Sequence, residues 1–257
     1  MKNLVLGCTI SLLLPVAAHA ATVDLSGWTS EEGNGSPAAS WGVQGVSNDS
    51  VFQSVNSRPS VFFNPGSNDQ GLALAGDITV ETTADDDYIG FVLGYNNGEF
   101  SSANADFWLI DWKQGNQPFG GQDGLAGLSL SHVTGNVGAA SEVDFWGHSG
   151  VVNEVKRAGT LGSTGWGNNV TNSFELIFTS TLIEVKVNGT TELSYGGAFT
   201  DGSFGFYNYS QSSVRYAGIT EDVAPPPINP VPLPAGLPLL LAGLGGLGLI
   251  SRRKRSS

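Results

Sequence analysis

Three consecutive carboxylates, Asp85, Asp86 and Asp87, are the densest chemistry in this 257-residue chain. Charges of one sign on adjacent residues repel, and a turn that holds them needs water, a cation or positive neighbours to offset the cost. No Lys or Arg stands near them in sequence. A hard cation such as calcium takes carboxylate and amide oxygens. The three aspartates are therefore candidate calcium ligands together with Asp69, with Asn68 and Asp77 as further oxygen donors. The alternative is a solvated acidic turn before a strand.

A second pair of carboxylates, Glu142 and Asp144, brackets Val143. On a strand the two would share a face, and retaining glycoside hydrolysis uses two carboxyls about 5 Å apart. Hydrolases that work this way on a sandwich fold carry a further Glu two to three residues on. Here Trp146, Gly147 and their neighbours supply no carboxyl. The expectation is a non-enzymatic protein, with a divergent glycoside hydrolase or a purely structural surface component as alternatives. The histidines His19, His132 and His148 have no zinc-site spacing, and no Gly-x-Ser-x-Gly elbow or phosphate loop occurs. Of the six tryptophans, Trp108 and Trp112 read as core, whereas Trp146 and Trp166 stand beside glycines and are the candidate loop platforms for a sugar ring.

The elements that must position these groups are strands. Residues 88–95 form an apolar run behind the acidic turn, and residues 107–113 form an aromatic one, both bounded by Gly, Asn and Ser. Alternation puts Trp108, Ile110 and Trp112 on one face and Phe107, Leu109, Asp111 and Lys113 on the other. Further strands are predicted at 60–63, 125–133, 174–179, 182–187, 190–195, 202–209 and 214–220, and Asn188-Gly189 is a hairpin turn. Helical periodicity is nearly absent. Serial hairpins with abundant Gly predict an all-β fold, an antiparallel β-sandwich or jelly roll.

Asp-Asp-Asp-Tyr-Ile-Gly-Phe-Val-Leu-Gly-Tyr (85–95), followed by Phe-Trp-Leu-Ile-Asp-Trp-Lys-Gln (107–114), resembles the C-terminal domain of thrombospondins. Further segments keep the order and spacing: Asn68-Asp69-Gln70-Gly71-Leu72-Ala73, the strand 78–82, Phe145-Trp146-Gly147-His148-Ser149-Gly150, Gly165-Trp166 and Gly205-Phe206-Tyr207-Asn208-Tyr209-Ser210-Gln211. The resemblance spans roughly 41–220. It implies a concanavalin A-like lectin sandwich and calcium binding, and it makes His148 a structural hydrogen-bonding residue. Calcium-repeat arrays, Cys-rich modules and an Arg-Gly-Asp triplet are absent from the sequence, so receptor roles do not follow.

The ends carry addressing signals. Residues 1–20 read as a secretory signal: Lys2, an apolar core from Leu4 to Val16 and the cleavage site Ala18-His19-Ala20. Cys8, the single cysteine, leaves with it. The body, 21–222, is acidic: five of 11 basic residues lie in the terminal segments, leaving six against 23 Asp and Glu. That charge argues against nucleic acid or anionic lipid as partner. A Pro-rich linker (223–230) leads into a tail (231–257) of Val231-Pro232-Leu233-Pro234-Ala235, an apolar stretch and Arg252-Arg253-Lys254-Arg255. Residues 233–250 are 18 in number, about 27 Å as a helix and near the span of a bilayer. This tripartite tail resembles the V-P-L-P-A variant of PEP-CTERM sorting signals. The resemblance implies processing by an exosortase, transient contact with the inner membrane of a Gram-negative bacterium, and display at the cell surface or in the matrix. An adhesion or binding role toward polysaccharide or surface protein is the expectation.

Overall fold

The computed structural model describes residues 20–226, so the tail motif 231–257 and all of the signal segment but Ala20 lie outside the described residues. Among the described residues no helix is long and apolar enough to cross a membrane.

The strands follow in chain order as β1 (Ala21–Thr22), β2 (Thr29–Glu32), β3 (Trp41–Gln44), β4 (Ser50–Gln53), β5 (Ser60–Phe63), β6 (Leu72–Val80), β7 (Tyr88–Tyr95) and β8 (Ala105–Lys113). After these come β9 (Gln117–Phe119), β10 (Gln122–Gly124), β11 (Gly127–Gly135), β12 (Val152–Arg157) and β13 (Asn172–Phe178). The chain closes with β14 (Leu182–Val187), β15 (Thr190–Gly196), β16 (Ser203–Tyr209) and β17 (Val214–Val223). One sheet runs β15-β14-β13-β6-β17-β4-β3 with β1 beside β17, and the other runs β12-β11-β8-β7-β16-β5-β2. All pairings are antiparallel, as predicted.

The sheets pack face to face over one core. Leu74, Ile78, Phe174, Leu176 and Phe178 of the first sheet meet Phe91, Leu93, Trp108, Ile110, Trp112 and Phe206 of the second. Phe91 and Phe174 touch across it with ring centroids 4.5 Å apart. The Tyr216 hydroxyl crosses from β17 to donate to the Tyr207 carbonyl at 2.7 Å and to accept from the Gly90 amide at 3.2 Å. The first sheet has one wet face, which explains the clean alternation of Leu-Ile-Glu-Val-Lys-Val in β14.

The second sheet is buried on both faces, and every residue of β7 is buried. Its outer face carries a second apolar cluster, with Phe63, Tyr88, Tyr95, Phe107, Leu109 and Tyr207 under Phe100, Val137, Phe145 and Trp146. The cover is built from short pieces, notably the helix α1 (Glu142–Trp146) and the β9-β10 hairpin. Alternation in β8 falls as predicted, with Trp108, Ile110 and Trp112 toward the inter-sheet core and Phe107 and Leu109 toward the cover.

The segment after β12 passes close to the end of β8. A Cβ on Gly165 would lie 1.9 Å from the Gln114 carbonyl oxygen, a separation no side chain can accept. That approach seats Trp166 in the core, where its indole N–H donates to the Asp87 carbonyl at 3.0 Å. Gly165→Ala is therefore expected to cost about 3 kcal/mol or more, a fall in Tm of roughly 6–12 °C for a domain of this size. Gly42→Ala, where a Cβ meets nothing within 4 Å, should shift Tm by less than about 2 °C. Thermal unfolding followed by tryptophan fluorescence measures both, and equal shifts would contradict the assignment.

Candidate functional site

The acidic turn lies between β6 and β7, and the register of β7 with β8 decides its surroundings. Tyr88 pairs with Lys113, so the end of β8 lies alongside the start of β7. The Lys113 ammonium, fully buried, forms an ion pair with Asp87. Its two other hydrogen bonds, each 3.2 Å, go to the Asp86 carbonyl and to Oε1 of Gln117. It also stands 4.4 Å above the Trp146 ring and 5.2 Å from that of Tyr88, at cation–π range. The positive neighbour that sequence proximity denied to the aspartates is thus supplied by the fold. Both runs were legible as strands, and an antiparallel hairpin between them would have placed Lys113 beside Asp87.

Asp87, expected among the calcium ligands, is paired with Lys113 in this structure. Its amide donates to Oε1 of Gln211 at 3.0 Å. Burial raises its carboxyl to about 6, with Lys113 opposing the rise and Asp85 adding to it. Asp85 accepts from Nδ2 of Asn56, and the Asp86 carboxylate lies 3.8 Å from Lys113. One oxygen from each of Asp85, Asp86 and Asp87 can be drawn from a region 4.8 Å across. A shallow depression of about 230 Å³ is lined by Thr83, Ala84, Asp85, Asp86 and Gln114.

Asp69 does not join this group. It precedes β6 while the acidic turn follows it, so the nine-residue strand, about 30 Å long, separates them. The Asp69 carboxylate instead accepts from the Phe204 amide at 2.6 Å and fastens the start of β16. Asp77 is exposed in mid-strand.

The tryptophans also depart from expectation. Trp146 and Trp166 are each 3% exposed and cannot serve as open loop platforms. Glycines beside them act as clearance for buried indoles: a Cβ on Gly124 would lie 2.7 Å from Nε1 of Trp146. Trp146 ends α1, its indole N–H donates to the Gln117 carbonyl at 2.9 Å, and its own carbonyl accepts the Tyr88 hydroxyl at 2.5 Å. The segment Glu142-Val143-Asp144 is helical, so the shared strand face that the hydrolase reading required does not form. Asp144 caps that helix by accepting from the Ser141 amide at 3.0 Å.

What these elements enclose is a cleft of about 300 Å³ above the Lys113–Asp87 pair. Asp87, Trp146 and Tyr209 form its floor, with the two rings edge to face at 5.6 Å. Asn56, Arg58, Gln117 and Glu142 supply polar walls. Phe119 stands at the rim on the tip of the β9-β10 hairpin, 41% exposed, its ring 5.2 Å from that of Trp146. Sequence inspection missed Phe119, Arg58 and Asn56: Phe119 is distant along the chain from the segment that holds the other two, and the fold alone brings them to one cleft.

On the opposite side of Trp146 lies a depression of about 240 Å³ lined by Asp123, His148, Glu154 and Arg157. His148 is the structural hydrogen-bonding residue expected: Nε2 lies 2.8 Å from Asp111 and Nδ1 lies 3.0 Å from Glu154. Burial pulls its pKa down, but the two carboxylates more than reverse this and carry it up to about 10. A folded-state value above the ordinary histidine value of 6.5 gives stability that is fully present below pH 6.5 and lost as pH rises toward 10. Tm should therefore fall between pH 7 and 10, by an equivalent of a few kcal/mol. His148→Asn, which tolerates the positive φ of 47° here, should lower Tm strongly at pH 7 and flatten this slope. An unchanged slope in the variant would remove His148 from the account.

The family described as the thrombospondin C-terminal region matches residues 36–223. No curated protein sequence matches the chain. Among solved structures, the carbohydrate binding module CBM66 from Bacillus subtilis is similar at a TM-score of 0.50 and 9% identity, over 76% of this chain and 95% of that one. A protein of unknown function with a galectin-like fold from Bacillus subtilis has a TM-score of 0.43 at 13% identity, over 78% and 92% of the two chains. A homodimeric agglutinin from chicken liver has a TM-score of 0.41 at 8% identity, over 63% and 99%.

Proposed function

Since the chain belongs to the thrombospondin C-terminal region family and folds as a lectin-like sandwich, we propose that it is a non-enzymatic carbohydrate-binding protein. Its ligand enters the cleft above Asp87, Trp146 and Tyr209. The lining of that cleft carries the reading: aromatic rings at floor and rim, with carboxamide, guanidinium and carboxylate groups spaced around them. Sugars present apolar C–H faces between hydroxyls, and such a mixture satisfies both. The signal segment and the sorting tail support an exported protein that an exosortase processes for display at the surface or in the matrix. Phe119 is the residue to remove, because it is exposed and its loss leaves the core intact. On an array of neutral and charged glycans, Phe119→Ala should weaken whatever binding the parent shows by roughly tenfold, with little change in Tm. Absence of any glycan binding by the parent would favour a purely structural role, and turnover of a glycan would favour a hydrolase.

Calcium is the second part of the proposal. The donors fit a hard cation: Asp85 and Asp86 are carboxylates beside the Gln114 carboxamide, and Lys113 pairs closely with Asp87 but stands 3.8 Å from the Asp86 carboxylate. Asp85 and Asp86 would hold the ion, which would relieve their mutual repulsion in the folded turn. An ion bound only by the folded state adds about 2.7 kcal/mol at a hundredfold excess over Kd, a rise in Tm of roughly 5–10 °C. Calcium against chelator should show this rise, and Asp85→Asn/Asp86→Asn should abolish most of it. An equal rise with sodium chloride at matched ionic strength would reduce the effect to screening.

A further inference from the structure

The charges around the cleft do not balance. Lys113, beneath the floor, is spent on Asp87. Arg58, in the wall, is spent on Glu32, with Nε 2.6 Å from its carboxylate, and Nη1 donates to the Gly35 carbonyl at 2.8 Å. Glu142 faces the same cleft, and among the described residues its carboxylate makes no hydrogen bond and no ion pair. It is half-buried, and the bare backbone of Gly35 makes room for it: a Cβ there would lie 2.6 Å from Oε2 of Glu142. Asp85 stands just beyond, its carboxylate accepting from Asn56 of the cleft wall. An acidic sugar entering here meets net repulsion, and a neutral one offers Glu142 only uncharged hydroxyl or amide donors. An ammonium offers a charge-assisted bond, about twice as strong as a neutral one.

From this imbalance we infer that the cleft selects a saccharide bearing a free amino group, a hexosamine unit whose ammonium lies against the Glu142 carboxylate. The inference rests on the saccharide reading and narrows it to one ligand class. The excess of acidic over basic residues in the body acts in the same direction, by drawing cationic chains toward the surface and repelling uronic or sulfated ones.

The test compares di- and triglucosamine with their N-acetylated counterparts, on the full chain, at mildly acidic pH and with divalent cations chelated. Titration calorimetry should give roughly tenfold tighter binding of the amino sugars. Glu142→Gln should bring that ratio to within about twofold of unity. Asp77→Asn, which removes one exposed charge in mid-strand away from the cleft, should leave the ratio as it is in the parent. A parent that binds both sugars equally retains the saccharide reading and overturns the amino preference. A ratio that survives in Glu142→Gln, or that collapses in Asp77→Asn, overturns the assignment to Glu142 and reduces the effect to general charge. A parent that binds neither sugar nor any other glycan overturns both readings.

Discussion

The buried contact between Lys113 and Asp87 is the interaction on which the functional end of the molecule depends. A fully buried ammonium costs several kcal/mol in lost hydration unless its donors are filled. Lys113 fills all three, with Asp87, the Asp86 carbonyl and Gln117, and lays its charge over Trp146. These partners come from three parts of the chain: the turn before β7, the hairpin after β8, and the end of α1. Removing the ammonium would leave Asp87 buried and uncompensated, with three pieces of the cleft wall no longer held in register. A pair of this kind adds little net stability compared with apolar side chains of the same volume. What it supplies here is position.

Much of the architecture was legible from alternation and turn chemistry. β14 is predicted to the residue, and β5, β7, β8, β13, β15, β16 and β17 within a few, because each is a short β-branched or aromatic run closed by Gly, Asn or Ser. The strands β2, β3, β4, β9, β10 and β12 carry no sustained apolar run, and they exist through pairing at or next to sheet edges and in the cover, which no local pattern records. The helix α1 was equally hidden, since five residues are too few to show a period.

The site was legible in part. Asp85, Asp86 and Asp87 do gather, yet charge repulsion inferred from a linear run overlooked the cation that the antiparallel register brings to them. Glycine beside tryptophan suggested exposed loops, whereas both indoles are buried, and the glycine that clears space for Trp146 is Gly124, distant in sequence. Both misreadings share a cause. Composition reports what a segment could tolerate, and neighbours from distant strands decide which tolerance is used.

The outer face of β8 shows how the two kinds of information join. Along it Phe107 and Leu109 are apolar, then Asp111 and Lys113 are ionic, and their neighbours match them in kind: apolar Phe100 and Phe145 of the covering layer, then His148 and Asp87 of opposite charge. A slip of one residue in β8 would turn Asp111 and Lys113 into the Trp- and Phe-lined core between the sheets, where neither would find a partner. The ionic pairs therefore set the register of the central strand. Once that register is set, Tyr88 stands opposite Lys113, its hydroxyl reaches the Trp146 carbonyl, and Trp146 becomes the wall between the two depressions. The cleft thus follows from where two charges can be buried.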